Sequence, residues 1–375
     1  MKLTLARKRL LLGSSNVGVI IVLSLILLLS GAPLLLFSNQ QVSSLSDILA
    51  LIIFFFSFAV LQSGFDLIGA TACERDDTYS DLKVIFKGLF RGIFVQSFIL
   101  FISALFVNFS SNLFGKLGVV FALYILFFSL LKFKIKIAKL ISPELSFKEI
   151  TDQKIIVSTK QSFFHGGIHN SKTIFSENLL LPLTNEEVVL LDKRRSLIIQ
   201  SGASRLSEKY AFGVLLMGAL VGMFVFRINP NSVAGVIEFA LWNSIWSFTC
   251  LLILPTFDRK AVFEADQQIL LSGIDKLVFE SALRKQDTLF DDEKVRSKLV
   301  ENIFHPIPML EERILEIKKF ELDQKTKPSF SIIPRAPWHT LRHSLYLSWG
   351  ALNLISRSVH CSVGRPQCWV FLPVE

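Results

Sequence analysis

Residues 48–70 read ILALIIFFFSFAVLQSGFDLIGA, and this stretch decides the fold class. It holds a single ionisable residue, Asp66. A helix rising about 1.5 Å per residue covers a hydrocarbon core of about 30 Å over such a length. The whole chain has the same bias, with 51% hydrophobic residues, 19% charged residues and a mean hydropathy of +0.51. That is too apolar for a soluble domain of 375 residues, so the excess has to face lipid. Five further runs share the pattern, at 17–37, 93–109, 117–131, 211–226 and 236–254. The shorter ones cross with little tilt or in a thinner bilayer.

Lys2, Arg7, Lys8 and Arg9 precede the first run, as in a signal peptide. The run is longer than a signal core, and more Leu and Phe follow Pro33 where a small-residue cleavage site would lie, so it reads as a signal anchor. Orientation follows from the short loops, because translocated loops are depleted in Lys and Arg. Residues 38–47 carry none, and the third-to-fourth and fifth-to-sixth hairpins carry only Lys116 and Arg227. The segment after the second run holds Arg75, Lys83, Lys87 and Arg91, and the fourth run ends in Lys132, Lys134, Lys136 and Lys139. Six spans with both termini and the polar sequence in the cytoplasm satisfy this distribution. The net charge of +9 then reflects positive-inside bias and attraction to anionic lipid heads, not a nucleic-acid surface. Cys73, Cys250, Cys361 and Cys368 all fall on the reducing side, which argues against a disulfide framework.

The chain divides into a four-span region (1–131), a polar block (132–209), a two-span hairpin (210–254), a second polar block (255–325) and a tail (326–375). In the first block, short strands are expected near 155–158 and 172–175, then a helix over 185–201 capped by Thr184, with Glu186 and Glu187 in its first turn. In the second block, apolar residues three and four apart predict helices over 260–271, 274–284, 291–304 and 310–321. Gly273 and His305-Pro306-Ile307-Pro308 punctuate them. Trp338, Tyr346 and Trp349 suggest that the tail lies on the membrane surface.

A soluble module interrupted by a transmembrane hairpin resembles the HtpX and CAAX prenyl-protease family of zinc-dependent membrane endopeptidases. Ser162-Phe163-Phe164-His165-Gly166-Gly167 is similar to the family's turn before its edge strand. Ile174-Phe175 with Leu179-Leu180 resembles that strand, and Thr184-Asn185-Glu186-Glu187 the start of its metal-binding helix. Past the hairpin, Phe263-Glu264-Ala265-Asp266 resembles the Ala-Asp motif. His305-Pro306 and Glu312-Arg313-Ile314 are similar to its late His-Pro and Arg-Ile pairs. The resemblance implies a mainly α integral membrane protein with a small α+β, gluzincin-type cytoplasmic domain split by the hairpin. It also implies that Lys172, Thr173, Ile174 and Phe175 form an edge strand that holds extended peptide by main-chain pairing.

The family's chemistry needs two histidines one helical turn apart, a glutamate base beside the first, and a glutamate ligand after the hairpin. The family spacing places Arg194, Arg195 and Ile198 at the first three positions and Val262 at the fourth. A guanidinium has no lone pair to give and repels a dication, and Ile198 and Val262 offer no donor atom. No shift of register helps, because no histidine occurs between His169 and His305. Glu264 is turned about 200° from the ligand position on a helix. The expectation is a degenerate site with no bound cofactor. The run Asp192-Lys193-Arg194-Arg195 reads first as a solvated basic face near anionic lipid. In the sharper alternative Arg194 and Arg195 fill the emptied site and pair with Glu264 or Asp266.

His165 and His169 are read as part of a turn, because Gly166 and Gly167 intervene. His339, His343 and His360 form an alternative metal set, with zinc as its cofactor, against a reading as interfacial packing. Asp66 and Glu238 lie near span ends and are read as snorkelling. Three functions remain open on the sequence. The first is a catalytically inactive HtpX-like protein that binds or scaffolds membrane proteins or peptides; the others are an active endopeptidase with an unusual site and a channel or transporter.

Overall fold

The computed structural model describes residues 5–37, 42, 44–72, 82–141, 146–151, 154–158, 165–168, 172–176, 180–200, 203–253, 258–290 and 308–326. Four helices come first, α1 (Leu5–Leu29), α2 (Ala32–Leu36), α3 (Leu45–Ala72) and α4 (Leu82–Ile141). Strands β1 (Ser146–Thr151), β2 (Lys154–Ser158), β3 (His165–Ile168) and β4 (Lys172–Ser176) follow. The remainder is helical: α5 (Asn185–Gln200), α6 (Ala203–Phe224), α7 (Val233–Ile253), α8 (Asp258–Leu271), α9 (Lys276–Phe290) and α10 (Leu310–Thr326). The chain is thus a mainly α membrane protein. Leu11–Leu29 in α1, Leu45–Gly69 in α3 and Phe86–Phe133 in α4 are long and apolar enough to cross a bilayer. Their unburied faces carry large apolar side chains such as Ile26, Ile53 and Phe94, which suits contact with lipid.

The apolar run at 17–37 is not one helix. Gly31 adopts φ 65°, and a second helix begins at Ala32 with Pro33 in its first turn, where the missing N–H removes no hydrogen bond. The runs at 93–109 and 117–131 are joined without a loop inside α4, whose helical geometry fails only at Gly115 (φ 58°, ψ −143°). The chain reverses there. Residues eight apart in a straight helix are about 12 Å apart, whereas a Cβ on Gly118 would lie 1.8 Å from the carbonyl oxygen of Ser110.

The two arms of α4 pack with α3, α6 and α7 around two apolar clusters. Leu51, Phe55, Leu100 and Ile237 lie in the first, and Val107, Val119, Ala219 and Phe239 in the second. The hairpin of α6 and α7 closes on two glycines. Trp242 and Trp246 lie against Gly222 and Gly218, leaving no room for a side chain at either. Their indole N–H groups donate to the carbonyls of Gly218 (2.8 Å) and Val214 (2.9 Å). Small residues four apart allow this close approach. At the turn, Asn108 Nδ2 donates to the Pro230 carbonyl at 2.8 Å, and Ser111 bonds Asn231.

The sheet has the order β1-β2-β4-β3. β1 and β2 are antiparallel, β2 and β4 parallel, and β4 and β3 antiparallel. Two sequence expectations change here. His165, Gly166 and Gly167 are strand and not turn, since they pair with Phe175, Ile174 and Thr173; glycine lacks a Cβ and so fits a close backbone approach. The expected edge strand at Lys172, Thr173, Ile174 and Phe175 is internal, with β2 on one side and β3 on the other. Its backbone donors and acceptors are used within the sheet, so it has no side left for an incoming peptide.

Helices α5, α8, α9 and α10 share a separate core of Leu190, Leu191, Ile269, Phe279, Leu283 and Ile317. The helix expected over 291–304 lies outside the described residues, as do Cys73, Cys361, Cys368 and the tail histidines.

Candidate functional site

Helix α5 begins with a reciprocal cap. The Glu187 amide donates to Thr184 Oγ1 at 3.3 Å, and the Thr184 amide to Glu187 Oε2 at 2.8 Å; each side chain thereby satisfies a backbone donor that a helix start leaves open. Glu187 also reaches α9. Its carboxylate accepts from Ser281 Oγ at 2.7 Å and Lys285 Nζ at 2.8 Å. Burial would raise its pKa, but Lys285, Ser281 and the Thr184 amide outweigh that and hold it below the usual value. The cap therefore fixes both the start of α5 and its rotation against α9.

That rotation turns Arg194 inward. Arg194 is 1% exposed and Arg195 5%, which overturns the reading of both as a solvated face. Lys193 alone of the basic run is exposed, and Asp192 is half-buried. Asp266 on α8 is also 1% exposed. Arg194 Nε donates to Asp266 Oδ1 at 2.6 Å. On the other side Arg313 of α10 donates through Nε to Oδ2 at 2.7 Å and through Nη2 to Oδ1 at 3.0 Å. One buried carboxylate thus accepts three charge-assisted hydrogen bonds and ties three helices together. Burial raises the Asp266 pKa, and the two guanidinium groups reverse the effect, holding the carboxyl below its ordinary range.

Val262 lies one turn before Asp266 on the same face of α8 and is 1% exposed, whereas Glu264 is exposed. The periodicity of 3.6 residues per turn accounts for the difference. Arg194 and Asp266 therefore meet at the α5–α8 contact, with Val262 buried one turn away on α8. Ile198 lies further along α5. These residues do not fit a zinc ion, because arginine, isoleucine and valine supply no lone pair and the one carboxylate is bound by two guanidinium groups. The tail set His339, His343 and His360 is outside the described residues.

Arg313 had no assigned role in the sequence reading. Only its place in the motif-like Glu312-Arg313-Ile314 marked it. A search for the basic partner of an expected buried Asp266 among late helical positions would have found it, since Arg313 and Ile317 are spaced by one turn on the buried face of α10. Asp66 is half-buried, and its Oδ2 has no hydrogen-bond partner among the described residues. The chain matches no known family model, and no curated protein matches it.

Proposed function

We propose that this chain is an HtpX-like membrane protein in which a buried Arg194–Asp266–Arg313 ion-pair cluster stands where the related peptidases hold zinc, and that it binds or scaffolds membrane proteins or peptides without cleaving them. The observation that carries the reading is the inward position of Arg194 on α5. The residue that the resemblance places at the first metal ligand bonds a carboxylate one turn from Val262, which stands at the last ligand position. A guanidinium there excludes a dication by charge and by volume.

In the same proposal the chain crosses the membrane six times, α4 supplying two spans and α6 and α7 the last two. Both termini and the α+β part face the cytoplasm. The cytoplasmic part is a gluzincin-type domain divided by the α6–α7 hairpin. Partner capture falls to the outer edge of β3 or β1, because β4 is paired on both sides; an extended peptide adds to a sheet only at a free edge.

Metal analysis of the purified full-length protein tests the proposal. It should carry no stoichiometric zinc, and chelators should leave its thermal unfolding unchanged. Stoichiometric zinc together with chelator-sensitive cleavage of a membrane substrate would overturn it, and His339, His343 and His360 would then be the first residues to replace.

A further inference from the structure

Within the helical bundle, α3, both arms of α4, α6 and α7 surround a cavity of about 150 Å³. An apolar cavity of this size in a soluble protein stays dry and holds a small hydrocarbon. This one differs in having most of its polar groups, Gln96, Asn243, Ser244 and Ser247, toward one end, with Ser103 further along.

The polarity is directional. The first arm of α4 and helix α7 both line the cavity, α4 from Gln96 to Val107 and α7 from Val236 to Ser247. Along α4 that separation is about 16 Å at 1.5 Å per residue. Asn108 and Ser111 of α4 bond Pro230 and Asn231 just before α7, so α7 starts beside the far end of this arm and the two helices run antiparallel along the cavity. Gln96, Asn243 and Ser247 therefore fall at one end, and Val107, Val236 and Phe239 at the other. Among the described residues, no Asp, Glu, Lys or Arg contributes to the wall.

The polar end holds unsatisfied hydrogen-bonding atoms. Gln96 is 2% exposed; its side-chain nitrogen donates to Gln62 Oε1, and its own Oε1 has no partner among the described residues. Asn243 Nδ2 donates to the Phe239 carbonyl at 2.8 Å, which fixes the orientation of its amide and leaves Oδ1 as an acceptor with no partner. Ser244 Oγ already donates to the Ala240 carbonyl at 3.0 Å, so its oxygen is also free to accept. If the Gln62–Gln96 pair is inverted, one donor and one acceptor still remain over. A hydroxyl group, which both donates and accepts, satisfies every such arrangement. A buried polar group without a partner keeps its full desolvation penalty, so an occupant that meets these atoms gains affinity at this end.

We infer that this cavity is a binding site for an uncharged, short-chain alcohol, its hydroxyl at Gln96, Asn243 and Ser244 and its chain directed toward Val107 and Phe239. The absence of charged wall residues excludes phospholipid head groups and fatty carboxylates from the head position. The inference rests on the bundle and stands whether or not the chain is related to peptidases.

Photolabelling of the full-length protein in phosphatidylcholine vesicles tests it, with hexanol carrying a diazirine in its chain as the probe. Labelled peptides should map to α3, α4 and α7. Unlabelled hexanol should compete at least about ten-fold better than its methyl ether or than hexanoate, because the ether cannot donate and the carboxylate brings charge. Asn243→Leu should weaken labelling by a similar factor with thermal stability retained, and Ala240→Phe should abolish it by filling the cavity. The comparison of alcohol with ether uses the unaltered protein and stands if a variant does not fold. Equal competition by the alcohol and its ether, label elsewhere than the cavity wall, or no saturable labelling would each overturn the inference.

Discussion

At the residue scale, Asp266 is a buried carboxylate bound by two buried guanidinium groups. Asp266→Asn leaves Arg194 and Arg313 buried without their counter-charge, and loss of one member of a buried ion pair costs about 3–5 kcal/mol. Thermal unfolding in detergent should show that loss, and a change below about 1 kcal/mol would mean that water or another group neutralises the arginines. The pH dependence has a definite sign. Asp266 has a folded pKa below its unfolded value, so its contribution is complete above about pH 4, the ordinary aspartate range. It is lost as pH falls through the folded value. The unaltered protein should therefore lose stability on acidification below about pH 4 by a component that Asp266→Asn lacks. The sequence disclosed that Arg194 and Arg195 could not bind metal, because that follows from guanidinium chemistry alone. It did not disclose that they are buried. Four consecutive polar residues look solvated, and only the rotation of α5 set by Glu187 on Lys285 and Ser281 turns two of them inward.

At the element scale, the α6–α7 hairpin depends on contact without side chains at two positions. A Cβ on Gly218 would lie 2.2 Å from Trp246 Cδ1, and one on Gly222 2.6 Å from Trp242 Cδ1. Those atoms belong to indoles held by hydrogen bonds to α6 and cannot simply swing aside. Gly218→Ala should then cost about 1–3 kcal/mol, the usual range for overpacking, with a red shift in tryptophan emission as the indoles move. Retained stability and an unshifted spectrum would show that the helices separate without penalty. A different prediction applies to the sheet. Thr173 of β4 pairs with Lys154 of β2 and Gly167 of β3, so Thr173→Pro places a residue without an N–H in an internal strand. Limited proteolysis between residues 146 and 176 should accelerate, whereas an unchanged digestion pattern would show that β4 is dispensable to the sheet. The helices α5, α8, α9 and α10 were legible from three- and four-residue spacing, and β2 and β4 from short β-branched runs. β1 and β3 were not, because Lys148 and Glu149 interrupt the strand-forming residues of Ser-Phe-Lys-Glu-Ile-Thr and half of His-Gly-Gly-Ile is glycine. The order of strands depends on pairing between distant residues, and that made an internal strand look like an edge.

At the scale of the whole molecule, the apolar helices follow from composition, and what remains to be tested is how the chain threads the bilayer. The reversal at Gly115 bears directly on it. Phe86–Phe133 is one helical stretch of 48 residues, about 72 Å if straight and more than twice a hydrocarbon core of about 30 Å. With Ser110 against Gly118 the stretch folds into two antiparallel arms, each long enough to cross once. Residues 82 and 141 then lie on the same side of the membrane. Lys83, Lys87 and Arg91 begin this hairpin and Lys132, Lys134, Lys136 and Lys139 end it, while Lys116 alone lies at its tip. Positive residues cluster on the cytoplasmic side of short loops, so the proposed threading puts both ends of α4 in the cytoplasm and the Gly115 turn outside. A single cysteine at Ser43 in an otherwise cysteine-free protein should accordingly react with an impermeant maleimide in sealed cells. One at Ser80 should react only after permeabilisation, and one at Asn112 should behave like Ser43 because it sits beside the turn. Labelling at Ser80 in sealed cells would reverse the orientation. Protection at Asn112 with labelling at Ser43 would instead leave the α4 hairpin short of the far surface, as a re-entrant loop in a bundle with fewer than six spans.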